Sequence, residues 1–239
     1  QMERSQRAGA SKSMARFTDE LKEGASEKWN AVVNHPWTDA LADGTLAKES
    51  IVAYLIQDHR FLDSFVVLLA SMIAKAPTLQ DRLPGCQFLA LITGKENTYF
   101  ERSFEALEVT VEQRTQAPNS SPTRGFMQLM TDAAQSGNYA QMLCVLCVAE
   151  WSYLSWADRV KGQRTDAKPF YLMEWIDLHC GEGFEGVIAY LRSLLDNAKQ
   201  HLSAEEQVAC HNTFQQAVAL EEAFFDHAWA VHTAAKSKA

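Results

Sequence analysis

Three acidic residues lie where the surrounding sequence predicts a buried apolar side chain. Asp58, Glu150 and Glu221 each interrupt apolar residues that recur every three or four positions, the spacing typical of the buried face of a helix. The apolar neighbours on these faces are Tyr54, Leu55, Phe61, Leu62 and Phe65 around Asp58, Leu146, Cys147, Tyr153 and Leu154 around Glu150, and Ala217, Val218, Phe224 and Phe225 around Glu221. A buried carboxylate without partners is costly, so such residues persist when they are hydrogen-bonded, paired, metal-bound or functional.

These acids allow two structural interpretations. Each acid taken alone could lie at the rim of its apolar face or form a structural salt bridge. Three of them in one helical chain, each beside aromatic residues, favour one shared polar pocket in the core. Carboxyl groups in such a pocket can divide the roles of general acid and general base, because burial and crowding raise at least one pKa.

A metal site is one alternative for carboxylates that cluster between helices. The ferritin-type signature, a Glu followed by a His three residues later, does not occur in the sequence. A site on several helices could still supply the four or more ligands that a di-iron or other metal centre requires. Its candidate ligands are Asp58, Glu96, Glu150, His179 and Glu221. This alternative predicts a metal-binding pocket.

Aromatic residues are numerous near the acids, and most aromatic residues of a globular protein belong to its core. Rings together with carboxylates also suit a flat, nitrogen-bearing ligand, because carboxylates accept hydrogen bonds from amines while rings stack on the ligand's faces. His179 shares its predicted helix face with Trp175 and Ile176. It is the histidine that we place near the pocket.

The rest of the sequence predicts long helices and no strands. Only 11 Gly and 6 Pro occur among 239 residues, and the spans between prolines show a 3.6-residue period. We predict one all-α domain over residues 14–235, preceded by a disordered lead-in at 1–13. The predicted helices are 14–33, 48–76, 86–113, 122–136, 138–161, 168–179, 183–200 and 203–234.

The composition gives no attraction to polyanions. Lys and Arg number 22 and Asp and Glu 30, so the net charge of −8 disfavours nucleic acid and anionic membranes as partners. The longest apolar stretches are shorter than the ~18 residues of a membrane-spanning helix. The N-terminal residues lack the apolar segment of a secretory signal, so we expect a cytoplasmic protein.

The five cysteines are an odd number spread along the chain, which suits reduced thiols. Cys144 and Cys147 form the one close pair, but they lie in the apolar run 143–149, and a zinc ribbon needs a second pair. We interpret both as small core residues.

Several motifs resemble the TenA/thiaminase II family over residues 15–232. They are His35-Pro36-Trp37 with Asp43-Gly44-Thr45-Leu46, Tyr54-Leu55-Ile56-Gln57-Asp58, Ser136-Gly137-Asn138-Tyr139, Ala149-Glu150-Trp151-Ser152-Tyr153, and Leu220-Glu221 with Phe224-Phe225. The resemblance implies the heme-oxygenase-like helical bundle, a homo-oligomer (dimer or tetramer), and hydrolysis at an aminomethyl pyrimidine in thiamin salvage without a cofactor.

The resemblance also implies roles for individual residues. The family's buried Asp and late-helix Glu match Asp58 and Glu221, whereas the nucleophilic Cys of the main branch falls at Ala149. The adjacent Glu150 resembles the branch that carries Glu in place of this Cys, so covalent thiaminase chemistry is not implied. Positions that are tyrosines in the Cys branch are here Phe61, Phe126 and His179.

The residues and the resemblance together predict a cofactor-free hydrolase. Its substrate would be 4-amino-5-aminomethyl-2-methylpyrimidine or the N-formyl derivative, with Glu221 and Glu150 as catalytic acid and base in either order. The predicted substrate-binding residues are Asp58, Phe61, Phe126, Tyr153 and His179. The alternatives are a metal-dependent oxidase, since the resemblance implies a bundle on which oxygenases also occur, and a non-catalytic protein whose pocket holds a pyrimidine.

Overall fold

The computed structural model describes residues 15–238 as helices joined by turns and short loops, without a strand among these residues. The α-helices are α1 (Phe17–Gly24), α2 (Ser26–Val33), α3 (Pro36–Asp43), α4 (Lys48–Lys75), α5 (Leu79–Leu91), α6 (Asn97–Ala106), α7 (Val111–Gln116), α8 (Ser121–Ser136), α9 (Tyr139–Val160), α10 (Phe170–Leu178), α11 (Glu182–Ala198) and α12 (Ala204–Lys236). A π-helical turn, Ile92–Glu96, joins α5 to α6. The predicted all-α class is confirmed. The lead-in predicted at 1–13 lies outside the described residues.

Helix α9 occupies the centre of the bundle. Every residue from 142 to 149 is buried, so this part of the helix is enclosed on all sides, and α4, α11 and α12 pack against α9. Cys144 and Cys147 are both buried within it, as the sequence predicts. No helix in the described part of the chain is both long and apolar enough to cross a membrane.

The N-terminal helices differ from the prediction in two ways. The helix predicted over 14–33 is two helices, because the backbone leaves the helical conformation at Ala25, with φ −117° and ψ 15°. The helix α3 was not predicted. Pro36 suits its first turn, and the ring of His35 caps it by accepting a hydrogen bond from the Trp37 N–H at 3.2 Å.

The helix predicted over 86–113 is also wrong in its bounds. Helix α5 already begins at Leu79 and contains Pro84, and the π turn then follows. Helix α6 ends at Ala106, after which Glu108 adopts φ 58°, a left-handed conformation that interrupts a helix. Residues 111–116 therefore form the separate helix α7.

The side chain of Gln57 fastens the start of α8 to α4. Its amide oxygen accepts hydrogen bonds from the Ser120 N–H at 2.9 Å and the Thr123 hydroxyl at 2.6 Å. Its amide nitrogen donates to the Pro118 carbonyl at 3.0 Å. Nearby on α4, Arg60 donates to the carbonyl of Ala117 at 2.6 Å. These bonds fix where α8 begins and therefore where its inward-facing ring, Phe126, lies.

Candidate active site

One pocket in the described structure brings the three flagged acids together. Its lining residues surround about 500 Å³ of empty space, which includes space open to solvent. Asp58 comes from α4, Glu150 from α9 and Glu221 from α12. The other predicted site residues also line it: Phe61, Phe126, Tyr153 and His179. The remaining lining residues are Leu62, Phe65, Ile92, Glu96, Met130, Ala149 and Trp175.

Helical spacing explains why each helix presents a coherent set of side chains to the pocket. Residues three, four or seven positions apart lie on one helix face. Helix α4 thus contributes four residues, 58, 61, 62 and 65, while α8 contributes 126 and 130, and α9 contributes 150 and 153. His179 directly follows α10 and lies four residues after Trp175.

Glu96 is a fourth acid in the pocket, and the sequence analysis considered it only as a metal ligand. It is the last residue of the π turn. The signal that could have found it is the spacing by four of Phe88, Ile92, Glu96 and Phe100, an apolar face interrupted by an acid. Ile92 and Glu96 line the pocket, while Phe88 and Phe100 are buried in the core.

A hydrogen bond behind the pocket aligns α4 with the π turn. The ring Nε2 of His59 lies 3.1 Å from Oδ1 of Asn97. His59 directly follows Asp58, and Asn97 directly follows Glu96. The contact therefore holds the two backbone segments that carry these acids in fixed register.

Burial changes the ionisation of all four acids. Glu221 is 5% exposed, and Asp58, Glu96 and Glu150 are partly exposed residues that line the pocket. Loss of hydration disfavours the charged form, which raises the pKa of Glu96 to about 7. The pKa values of Asp58, Glu150 and Glu221 are raised well above their usual range for the same reason.

Charge repulsion adds to the effect of burial. Glu96 raises the pKa of Asp58, and it is the first of three acids whose charges raise the pKa of Glu150, ahead of Glu221 and Asp58. For Glu221, Asp58 is the acid that adds to burial. Three neighbouring acids thus add to burial in favouring the protonated form of Glu150.

His179 contributes a neutral ring to the pocket. Its Nδ1–H donates to the carbonyl of Trp175 at 2.7 Å, and burial lowers its pKa to about 4. At neutral pH its Nε2 is consequently a hydrogen-bond acceptor. The pocket-lining residues in the described chain include no Lys or Arg, so carboxyl groups supply the charge of this pocket.

A buried hydrogen-bond chain holds Tyr153 at the pocket wall. The hydroxyl oxygens of Tyr153 and Tyr54 lie 2.7 Å apart, and the Trp175 indole N–H donates to the Tyr54 hydroxyl at 3.2 Å. The Tyr54 ring in turn stacks on Trp37, with 4.2 Å between centroids. Burial raises the pKa of both tyrosines, which keeps their hydroxyl groups protonated at neutral pH.

Aromatic rings form two sides of the pocket. Phe61 packs edge-on against Phe126 with 5.4 Å between ring centroids, and Tyr153 lies 5.0 Å from the ring of His179. A flat heteroaromatic ring would find aromatic faces on these sides and carboxyl groups at its edges. Among residues 15–238, no group of three or more His, Cys, Asp or Glu side chains is arranged to hold a metal ion.

The arrangement of the helices places the chain in the class of heme-oxygenase-like helical proteins. Its structure resembles a TenA homologue from Pyrococcus horikoshii with a TM-score of 0.79 and 22% identity, over 91% of this chain and all of that one. Heme oxygenase-1 from Synechocystis is more distant, with a TM-score of 0.54 and 12% identity over 89% of this chain and 92% of that one. The predicted fold is therefore confirmed.

The chain belongs to the TENA/THI-4/PQQC family, whose family model matches residues 23–230. A relative from Halalkalibacterium halodurans named aminopyrimidine aminohydrolase is 26% identical over 214 residues, covering 89% of this chain and 95% of that protein. A Bacillus subtilis protein of the same name is 23% identical, covering 80% and 81% respectively. The family resemblance in the sequence is confirmed.

Proposed function

We propose that this protein is a cofactor-free hydrolase that cleaves a C–N bond of 4-amino-5-aminomethyl-2-methylpyrimidine or its N-formyl derivative, as part of thiamin salvage. The observation that carries the proposal is the meeting of Asp58, Glu150 and Glu221, from three helices, in one aromatic-walled pocket. The names of the relatives from H. halodurans and B. subtilis support the reaction class.

The pocket supplies partners for each part of an aminopyrimidine. A protonated Asp58 donates to a ring nitrogen while its second oxygen accepts from the adjacent exocyclic amine. Phe61 and Phe126 contact the ring faces. Tyr153 and His179 hydrogen-bond to the substrate or to the reacting water.

Glu150 and Glu221 divide the proton transfers. With the aminomethyl substrate, the water oxygen bonds to the methylene carbon as the bond from that carbon to nitrogen breaks. Glu221 takes a proton from the water, and Glu150 supplies the proton with which the nitrogen departs as ammonia. The three neighbouring acids that raise the pKa of Glu150 support its assignment as the acid.

The N-formyl substrate uses the same two groups on a different bond. The water oxygen then bonds to the formyl carbon, and the bond from that carbon to nitrogen breaks. The products are formate and the aminomethyl pyrimidine.

We also retain the predictions of a cytoplasmic location and of a dimer or tetramer. Light scattering on the purified protein would measure the oligomeric state.

The first experiment follows ammonia and formate release from the two pyrimidines, and thiazole release from thiamin, with metal-stripped protein. Turnover of either pyrimidine that is lost in Glu150→Gln would support the proposal, with Glu101→Gln as an exposed acid-to-amide control on α6. Turnover only after iron is restored would replace the hydrolase with the metal-dependent oxidase. Tight pyrimidine binding without turnover would indicate a binding protein.

A further inference from the structure

We propose that Glu96 is a specificity-determining residue that stabilises positive charge on the aminomethyl nitrogen and thereby selects the aminomethyl substrate over its N-formyl derivative. This inference rests on the proposed function and concerns the choice between its two substrates. It follows from the place of Glu96 in the pocket, from its neighbours and from the difference in charge between the two reactions.

The position of Glu96 is fixed by the fold rather than by a flexible loop. It ends a π turn between two helices, and π turns inside helices occur frequently at functional sites. The neighbouring Asn97 is hydrogen-bonded to His59 on α4 at 3.1 Å. Glu96 thus faces the pocket from a segment that is tied to the helix bearing Asp58.

Glu96 is a neighbour of Asp58 and of Glu150. In the proposed reaction these two acids act at adjacent positions of the pyrimidine ring. The charge of Glu96 raises the pKa of Asp58, and among the charges acting on Glu150 it has the largest effect. If Asp58 binds the exocyclic amine at ring position 4, the substituent at position 5 is the next group along the ring. Glu96 then lies beside that substituent, together with Glu150 and Glu221, which act on it.

Glu96 has a free carboxyl group to offer. No hydrogen bond or ion pair to its side chain is formed within residues 15–238, and the lining residues of the described pocket contain no Lys or Arg. The buried carboxyl of Glu221 likewise faces this pocket without such a partner in the described structure. A cationic nitrogen with several N–H donors would satisfy these groups, whereas a formamide offers one N–H and no charge.

The two reactions differ in the charge that develops near Glu96. For the amino group to leave as ammonia, its nitrogen must first take up a proton, and an adjacent carboxylate stabilises the positive charge that this proton brings. When water adds to a formamide, negative charge develops on the formyl oxygen, which the same carboxylate repels. Glu96 therefore favours the first reaction and opposes the second.

The test compares both substrates in Glu96→Gln, which removes the charge and keeps the shape. We expect kcat/KM for ammonia release from the aminomethyl pyrimidine to fall between about 10-fold and 100-fold, the usual effect of losing a charged hydrogen-bond partner. Formate release from the N-formyl pyrimidine should be unchanged or faster. Inhibition by the neutral hydroxymethyl pyrimidine should also be unchanged, which reports an intact pocket.

Other outcomes overturn the inference. Equal loss with both substrates would mean that Glu96 acts in general catalysis or in folding, and no change with either would mean that it has no role. Should Glu96→Gln fail to fold, Glu96→Asp retains the charge at shorter reach and should still impair the amine reaction more than the formamide reaction. Failure of the wild-type protein to hydrolyse either pyrimidine would instead refute the proposed function.

Discussion

The hydroxyl oxygens of Tyr54 and Tyr153 lie 2.7 Å apart, which links the pocket wall on α9 to the packed aromatic residues of α4. Tyr54 also accepts a hydrogen bond from the indole N–H of Trp175. The orientation of Tyr153 towards the pocket thus depends on a side chain that is itself almost fully buried. This link allows the positioning of Tyr153 to be tested without altering any group that lines the pocket.

Tyr54→Phe should raise KM for the pyrimidine and lower the free energy of unfolding by about 1–3 kcal/mol, because the Trp175 N–H loses its buried acceptor. Denaturant unfolding and steady-state kinetics measure the two effects. The matched control is Tyr99→Phe, which removes a hydrogen bond to the Tyr171 carbonyl. It should destabilise the fold without changing KM, and an equal KM change in both variants would contradict the positioning role.

Glu221→Gln should abolish hydrolysis, with a loss of kcat of roughly 10²–10⁴-fold, because an amide cannot take a proton from water. The fold should be kept, since Gln occupies the same space and removes a carboxyl group whose ionisation burial disfavours. Circular dichroism and product release measure both points. An unaffected rate would remove Glu221 from the mechanism.

Glu96→Gln should change how stability depends on pH. The folded-state pKa of Glu96 is raised to about 7 from an ordinary 4.5, so the folded protein binds this proton more tightly than the unfolded chain does. The group therefore destabilises the wild-type fold increasingly as pH rises from about 4.5 to about 7. The difference in unfolding free energy, variant minus wild type, should grow by about 3 kcal/mol across this interval.

The prediction compares the unfolding free energies of the variant and the wild type because His179 also changes stability with pH in this range. Its folded-state pKa is lowered to about 4 from 6.5, so its contribution to stability rises with pH over much of the same interval. This opposing effect is common to the wild type and the variant and cancels in the difference. A difference that stays constant between pH 4.5 and 7 would contradict the burial of a raised-pKa acid at position 96.

Gln57→Leu should raise KM by loosening α8 and should lower stability, since Leu leaves the Ser120 N–H and the Thr123 hydroxyl without their buried acceptor. The matched control is Gln141→Leu, which loses one hydrogen bond, to the Thr213 hydroxyl, away from the pocket-lining set. The two variants are compared by thermal unfolding and by KM. Equal KM values in the two variants would mean that Phe126 is positioned independently of Gln57.

The pocket acids were predictable from sequence to the extent that they interrupt a regular helical face. Asp58, Glu150 and Glu221 lie on long helices, where a constant period fixes which side chains face inward. The helical period shows on which face of its own helix each acid lies, but it gives no distance between helices. Their meeting in one pocket follows from the packing of α4, α9 and α12, which depends on the whole fold.

The parts that sequence reasoning missed are short or irregular. Helix α3 has only eight residues and depends on one proline and on the ring of His35 as its cap, so it has little periodicity to detect. Glu96 was considered only as a metal ligand, and the helix predicted over 86–113 ran through the π turn that carries it. A π turn changes the helical period locally but has no distinctive amino-acid composition. The spacing by four of Phe88, Ile92, Glu96 and Phe100 was nevertheless visible in the sequence.

The π turn also determines which changes of chain length this protein can accept. Each residue of an α-helix turns the chain by about 100°, so deleting one residue within Ile92–Glu96 would rotate α6 by about that angle relative to α5. The inward rings of α6, Tyr99 and Phe100, would then leave the core while Glu96 left the pocket. Insertions and deletions are therefore expected in the loop at 164–169, and the five residues 92–96 should keep a constant length.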